Sequence, residues 1–184
     1  MVFGYELKIP KDRVAVLIGK NGETKKELEE QTNTKITIDS GTGEVVVDGE
    51  DALKLYAVKE IITAIGRGFN PEYARLLLKP DYSLEIVNIT EYAGTQKSLI
   101  RLRGRVIGQE GKSRKYIEHL TGVFIVVYGK TIGMLGEHQR VLLAKRAIEQ
   151  LLKGSPHGNV FKWLETKLKT LSAREILDTN TLEG

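Results

Sequence analysis

Residues 3–9 alternate in hydrophobicity with period two, which predicts a strand with one buried face. Residues 11–18 turn to helical spacing and stop at Gly19. After Gly22, residues 23–31 place charges around a lone Leu28, predicting a helix with a mostly polar surface. Two β-rich runs, 35–39 and 44–48, flank Ser40-Gly41-Thr42-Gly43 and predict a hairpin with a flexible loop. A long apolar-periodic helix over 51–65 completes the unit. The same order then returns, with a strand over 83–89, helices over 96–107 and 111–120, strands over 123–128 and 131–135, and a helix over 137–152. Between the two sets, Asn70-Pro71 reads as an N-cap and first-turn proline of a short helix ending before Lys79-Pro80. Ser155-Pro156-His157-Gly158 breaks the chain before a last helix with Val160, Phe161, Leu164, Leu168 and Leu171 on one side, and residues after Ser172 are expected to fray.

The repetition extends to residue identity. A shift of 89 positions lays Ile18-Gly19-Lys20-Asn21-Gly22 on Ile107-Gly108-Gln109-Glu110-Gly111. The match continues through Lys25/Arg114, Lys26/Lys115, Leu28/Ile117, Thr32/Thr121, Ile36/Ile125 and Ile38/Val127. Past the hairpin loops the register changes by two, bringing Ala57, Ile61 and Ile65 onto Ala144, Ile148 and Leu152. The 184 residues therefore read as two copies of a unit of about 70 residues.

The glycines carry the candidate chemistry. A turn between two helices needs a residue tolerant of positive φ where the first helix ends, and glycine supplies it. A second glycine three residues later lets another backbone approach, and leaves helix N–H groups and the positive dipole end open to an anion such as a phosphodiester. Lys20, Lys25 and Lys26 put cations beside the first loop, as Lys112, Arg114 and Lys115 do beside the second. One Gly-x-x-Gly is explained equally well as helix punctuation. Two at equivalent places in a repeat carry more weight.

This element order, with Gly-x-x-Gly between the first two helices, resembles the KH domain, whose loop clamps about four single-stranded nucleotides. The resemblance implies an α+β fold of two tandem KH domains, each a three-stranded sheet backed by helices. The boundaries expected are 1–69 for the first domain, 70–81 for a helical linker, 82–154 for the second domain, and 155–184 for a C-terminal helix and tail. It also implies an apolar groove lined by Val14, Ile18 and Ile36 in the first copy and by Val106, Ile107 and Ile125 in the second, although core packing explains each aliphatic taken singly. Residues 102–171, with Gly104-Arg105-Val106-Ile107-Gly108, Gly111-Lys112-Ser113-Arg114, Ile132-Gly133-Met134-Leu135-Gly136 and Gly154-Ser155-Pro156-His157-Gly158-Asn159-Val160, are similar to the archaeal relatives of the eukaryotic ribosome-assembly protein called partner of Nob one. Arg67-Gly68-Phe69-Asn70-Pro71 fits the same family. That similarity implies binding of small-subunit ribosomal RNA near its 3′ end, beside the endonuclease Nob one that trims it. It suggests the dimethyladenosine transferase and the alpha subunit of initiation factor two as further partners. Eukaryotic members tend to have a degenerate first domain, whereas this chain keeps Gly19-Lys20-Asn21-Gly22.

Charge divides the copies. Residues 1–89 hold 12 Lys/Arg and 15 Asp/Glu, residues 90–155 hold 12 and 5, and the remainder hold 4 and 4, within an overall +4. The second copy is thus the basic one, and phosphate contacts dominate nucleic-acid affinity. Arg101, Arg103 and Arg105 fan around their helix, so two are expected to face RNA. The acids Glu23, Glu27, Glu29 and Glu30 of the first copy read as a solvated face, or as a surface for a protein partner. The candidate RNA-contacting residues are the loops Gly19, Lys20, Asn21, Gly22 and Gly108, Gln109, Glu110, Gly111, with Lys25, Lys26, Arg101, Arg103, Arg105, Ile107, Lys112, Ser113, Arg114, Lys115 and Ile125.

Catalysis finds little support. Gly111-Lys112-Ser113 imitates the end of a P-loop, but position 106, where that motif needs glycine, is Val. His119, His138 and His157 have no partner at metal-ligand or triad spacing, and His157 alone sits in a turn where a role beyond solvation is conceivable. The absence of cysteine excludes disulfides and thiolate chemistry. No enzyme activity, cofactor or metal is expected. No apolar run reaches membrane-spanning length and the start lacks signal-peptide order, so a cytoplasmic, soluble monomer is expected. Aromatics are 7% of residues, which favours aliphatic-groove recognition of bases over stacking. Phe161, Trp163 and Leu164 either pack on the second domain, the favoured reading, or present a hydrophobic strip to another protein. Two other readings remain: a general binder of single-stranded messenger RNA or DNA, and a protein scaffold with vestigial loops.

Overall fold

A computed structural model of the chain describes residues 1–182. The order is β1 (Phe3–Lys8), α1 (Lys11–Ile18), α2 (Glu23–Thr32), β2 (Thr34–Ile38), β3 (Glu44–Gly49), α3 (Ala52–Gly66) and the short α4 (Pro71–Ala74). Then come β4 (Tyr82–Asn88), α5 (Gln96–Ile107), α6 (Lys112–Thr121), β5 (Phe124–Tyr128), β6 (Thr131–Glu137), α7 (His138–Leu152) and α8 (His157–Leu182). The chain divides into two compact units, Met1–Leu84 and from Glu85 onward, each holding one repeat.

Each unit is α+β, as the resemblance implied, with its elements in the order that the pattern of periods predicted. The first sheet has the order β1-β3-β2, antiparallel throughout, with Tyr5 and Ile36 both opposite Val47. The second sheet has the order β4-β6-β5, with Ile125 opposite Met134. Val45, Val47 and Ile36 turn inward onto Leu55, Val58, Ile61, Ile62 and Ile65 of α3, all of them buried. Helix α3 starts where Asp51 accepts from the N–H groups of Leu53 (3.0 Å) and Lys54 (3.2 Å). Helix α5 starts at a capping box in which Thr95 and Ser98 exchange bonds. Helices α2 and α6 both end at a left-handed residue, Asn33 (φ 53°) and Gly122 (φ 72°), one repeat length apart.

The segment after each repeat is packed onto that repeat. Residues 70–81, expected as a linker, lay Ala74 and Leu77 against α3, and Arg75 pairs with Glu27 of α2. Helix α8 packs on α6 and α7, burying Val160, Leu164 and Leu168 with Phe161 and Trp163 partly covered, as the apolar stripe predicted. It does not end near Ser172. The run 171–178 holds no glycine or proline, and Arg140 of α7 meets Glu175 at 3.3 Å, so the helix continues to Leu182. No helix among the described residues is long and apolar enough to cross a membrane.

Candidate nucleic-acid interface

The two Gly-x-x-Gly loops have one conformation. Gly19 lies at φ 78°, ψ 174° and Gly108 at φ 74°, ψ 171°, a region open in practice only to glycine. Asn21 and Glu110 are left-handed, each with φ 55°, and Gly22 and Gly111 follow at φ 77° and 75°. The turn closes by Gly22 N–H donating to Gly19 O and Gly111 N–H to Gly108 O, each at 3.2 Å.

The two glycines of each loop do different work. A Cβ on Gly108 would stand 2.6 Å from Ser113 Cβ and 2.7 Å from Ser113 N, and one on Gly19 would stand 2.8 Å from Thr24 N. The first glycine therefore lets the end of one helix touch the first turn of the next. A Cβ on Gly22 would meet nothing within 4 Å, so the fourth position needs glycine for its φ and leaves an open face. No side chain caps α2 or α6, in contrast to α3 and α5; Glu23 N–H and Lys112 N–H bond back to Lys20 O and Gln109 O, and the first turn behind each loop forms the positive end of its helix dipole.

Behind each loop, a repeated carboxylate ties the second helix to the edge strand. Glu29 Oε1 accepts from Ile36 N–H at 2.7 Å, and Glu118 Oε1 accepts from Ile125 N–H at 2.8 Å. A cation one turn earlier holds each acid: Lys25 lies 3.3 Å from Glu29, and Arg114 lies 3.2 Å from Glu118. Arg114 also donates to Ile125 O at 3.1 Å. Glu29 is thus part of the domain's frame and not of a solvated acidic face, and Glu27 is engaged by Arg75. The identity of Glu29 and Glu118 across the repeat was the available signal for this anchor.

The remaining predicted contacts sort by exposure. Lys20, Gln109, Glu110, Lys112 and Lys115 are exposed at the loops, and Lys26 is exposed beside Glu30 at 3.9 Å. Ile18 and Ile107 are half-buried, while Val14, Ile36, Val106 and Ile125 are 4%, 1%, 0% and 1% exposed and belong to the core. Ser113 is buried beneath Gly108 and presents no face to solvent. Of the three alternating arginines only Arg101 is exposed; Arg103 is half-buried with an unbonded Nε. Arg105 turns inward, its Nε donating to Leu151 O at 3.0 Å and its Nη2 to Ser155 O at 2.6 Å, which binds the end of α7 to α5. Arg13 does the same in the first unit, reaching Ile65 O at 2.8 Å and Phe69 O at 2.9 Å. His157 is no solvated turn residue. Its Nε2 donates to Arg105 O at 2.8 Å, satisfying a terminal carbonyl of α5.

One exposed loop is thus repeated at two helix starts that carry no side-chain cap. Comparison with known proteins agrees. Residues 4–64 match the KH domain, and residues 83–169 match the eukaryotic-type KH domain (KH-domain type I) in the form found as the second domain of PNO1. The KH domain-containing protein MJ0443 of Methanocaldococcus jannaschii is 50% identical over 163 residues, covering 86% of this chain and 71% of the relative. The chain belongs to the PNO1-type KH-domain family. PNO1 of Saccharomyces cerevisiae, a pre-rRNA-processing protein, is 29% identical over 81% of this chain, which spans about half (51%) of that relative. A Pyrococcus horikoshii chain in a crystal structure of an a/eIF2alpha–aDim2p–rRNA complex is 48% identical, with a TM-score of 0.86 over 92% of this chain and 96% of that one. Within this PNO1-type chain, both domains keep the Gly-x-x-Gly form of the loop.

Proposed function

We propose that this PNO1-type protein binds single-stranded ribosomal RNA of the small subunit, near its 3′ end, during maturation of that subunit. The second domain is the principal RNA clamp. The observation that carries this reading is one loop geometry set in two electrostatic settings: residues 90–155 hold 12 Lys/Arg against 5 Asp/Glu, and residues 1–89 hold 12 against 15. The rRNA complex of the Pyrococcus relative and the pre-rRNA-processing role named for PNO1 support the choice of RNA. The same complex supports the alpha subunit of initiation factor two as a protein partner. The endonuclease Nob one and the dimethyladenosine transferase complete the expected company, and any cleavage of RNA belongs to such a partner. The first domain makes a weaker RNA contact through Gly19-Lys20-Asn21-Gly22 and leaves Glu23 and Glu30 for a protein surface.

The test is a salt titration of binding to a short single-stranded RNA copied from the small-subunit 3′ end. Gln109→Asp with Glu110→Asp adds one negative charge at the second loop, where Glu110 is already an acid; Lys20→Asp with Asn21→Asp makes the first loop more negative by three charges. Aspartate tolerates the left-handed position in both. The second-loop pair is expected to reduce affinity on the order of 100-fold and flatten the salt slope, and the first-loop pair to reduce it roughly fivefold. If neither pair changes binding, the domains hold no RNA through their loops. Equal binding of scrambled RNA or DNA would make the chain a general single-strand binder.

A further inference from the structure

Helix α8 runs back along α7 after the short connection of residues 153–156, so that Arg140 near the start of α7 meets Glu175 far along α8 at 3.3 Å. The inner sides of the two helices bury Ala144, Ile148, Val160 and Leu164 in the core of the second unit. Their outer sides leave a groove of about 260 Å³, floored by Leu142 and Leu143 of α7 and Leu171 of α8, and rimmed by Arg146, Lys167 and Arg174. Lys167 also lines an adjoining hollow with Lys162 and Trp163, so the surface continues along α8. From Lys162 to Arg174 it is about 18 Å long, room for roughly three turns of a docked helix. None of the residues lining it belongs to a Gly-x-x-Gly loop, to α5 or to α6.

The charge of this surface has one sign. Arg146, Lys162, Lys167 and Arg174 are all exposed, they form no ion pair among the described residues, and no acid lines either hollow. Glu165 and Glu175 of the same helix are engaged elsewhere, by Tyr116 and by Arg140. The repeat supplies a contrast. The register that sets Ala57 on Ala144 sets Lys59 on Arg146, and the Lys59 ammonium lies over the rings of Tyr5 (5.2 Å) and Tyr56 (5.5 Å). The first unit occupies this cation internally; the second leaves it to solvent.

The floor decides which anionic partner fits. A phosphate backbone would take the cations and leave three leucines in contact with water. Aliphatic side chains spaced three and four apart on a helix would cover the leucines, while carboxylates on the flanks of that helix meet the rim. Two helical walls also form the kind of groove into which a third helix packs.

We propose that the α7–α8 groove docks an acidic amphipathic helix of a protein partner, its aliphatic side chains on Leu142, Leu143 and Leu171 and its carboxylates on Arg146, Lys167 and Arg174. The site is separate from the loops, so a chain holding RNA keeps it free. The test titrates the full chain, by fluorescence anisotropy, with synthetic peptides of about 16 residues, roughly 24 Å long as helices. The first carries leucines at i, i+3, i+4 and i+7 with glutamates beside them. The second has the same composition with the leucines scattered around the helix, and the third has lysine for every glutamate. The first peptide is expected to bind with a Kd on the order of 10 μM at low salt, and the other two at least about tenfold more weakly. Arg146→Glu with Lys167→Glu changes two exposed side chains and is expected to melt with its parent. It should weaken the first peptide at least about tenfold, gain affinity for the lysine peptide, and keep single-stranded RNA affinity within about twofold. Leu171→Ala should weaken the first peptide roughly fivefold without altering RNA binding. Absence of binding by the first peptide, equal binding of the first and second, or binding untouched by the charge reversal overturns the proposal. So does a blunt RNA hairpin that the parent binds and the charge reversal releases, with the first peptide no better than the second: that result gives the face to RNA.

Discussion

The two units share a loop whose dihedral angles agree within a few degrees, yet one is set in an acidic domain and the other in a basic one. Loop geometry therefore does not follow the charge of its domain. The conformation is enforced from within, by the contact of Gly19 with Thr24 and of Gly108 with Ser113, and by the carboxylates that hold Ile36 and Ile125. It persists whatever charge surrounds it. On the RNA-binding reading proposed above, affinity is set by side chains that contribute little to the frame, such as Arg101 and Lys112.

The sharpest way to part the units is to remove α8. Ending the chain at residue 154 uncovers the core that Val160, Leu164 and Leu168 protect and takes away the Ser155 carbonyl that Arg105 binds. The second unit is expected to lose cooperative unfolding entirely, with the first unit's transition unchanged by calorimetry. Next in size is Gly108→Ala, expected to destabilise the second unit by roughly 2–4 kcal/mol through a glycine-only backbone and a clash with Ser113. Gly19→Ala should do the same to the first, whereas Gly22→Ala, left-handed with open space, should cost about 1 kcal/mol in urea denaturation. Equal costs at Gly19 and Gly22 would show that packing does not shape the loop. The smallest effect is that of Glu29→Gln and Glu118→Gln, each expected to cost about 1–2 kcal/mol. A large difference between these two would break the claim of a common frame.

Most of the fold was legible. Helices over 11–18 and 96–107 appear at the predicted residues, because glycine ends each and the apolar spacing is clean. The strand predicted over 131–135 runs on to Glu137, since Gly136 lies buried against Val123, where no side chain would interrupt the pairing. The loops, too, were found from glycine spacing alone. The contacts that escaped are those made across many residues. Arg105 reads as one of three basic residues on a helix, and nothing local says that its guanidinium meets carbonyls 46 and 50 residues away. Arg13 takes carbonyls one residue on from the equivalents of Leu151 and Ser155, and from one turn earlier on its helix, so aligning the repeats does not pair the two arginines.

The packing of α8 also sets an order in time. The first unit is complete within residues 1–84, so its sheet and α3 can close while the rest of the chain is still being synthesised. The second unit cannot keep to the same schedule. Its β4-β6-β5 sheet is available by Glu137, but its core stays open until Leu164 and Leu168 have emerged. A newly made chain therefore carries a finished first loop for the interval in which the basic loop is unfinished, and the acidic half is the first part of the molecule able to meet a partner.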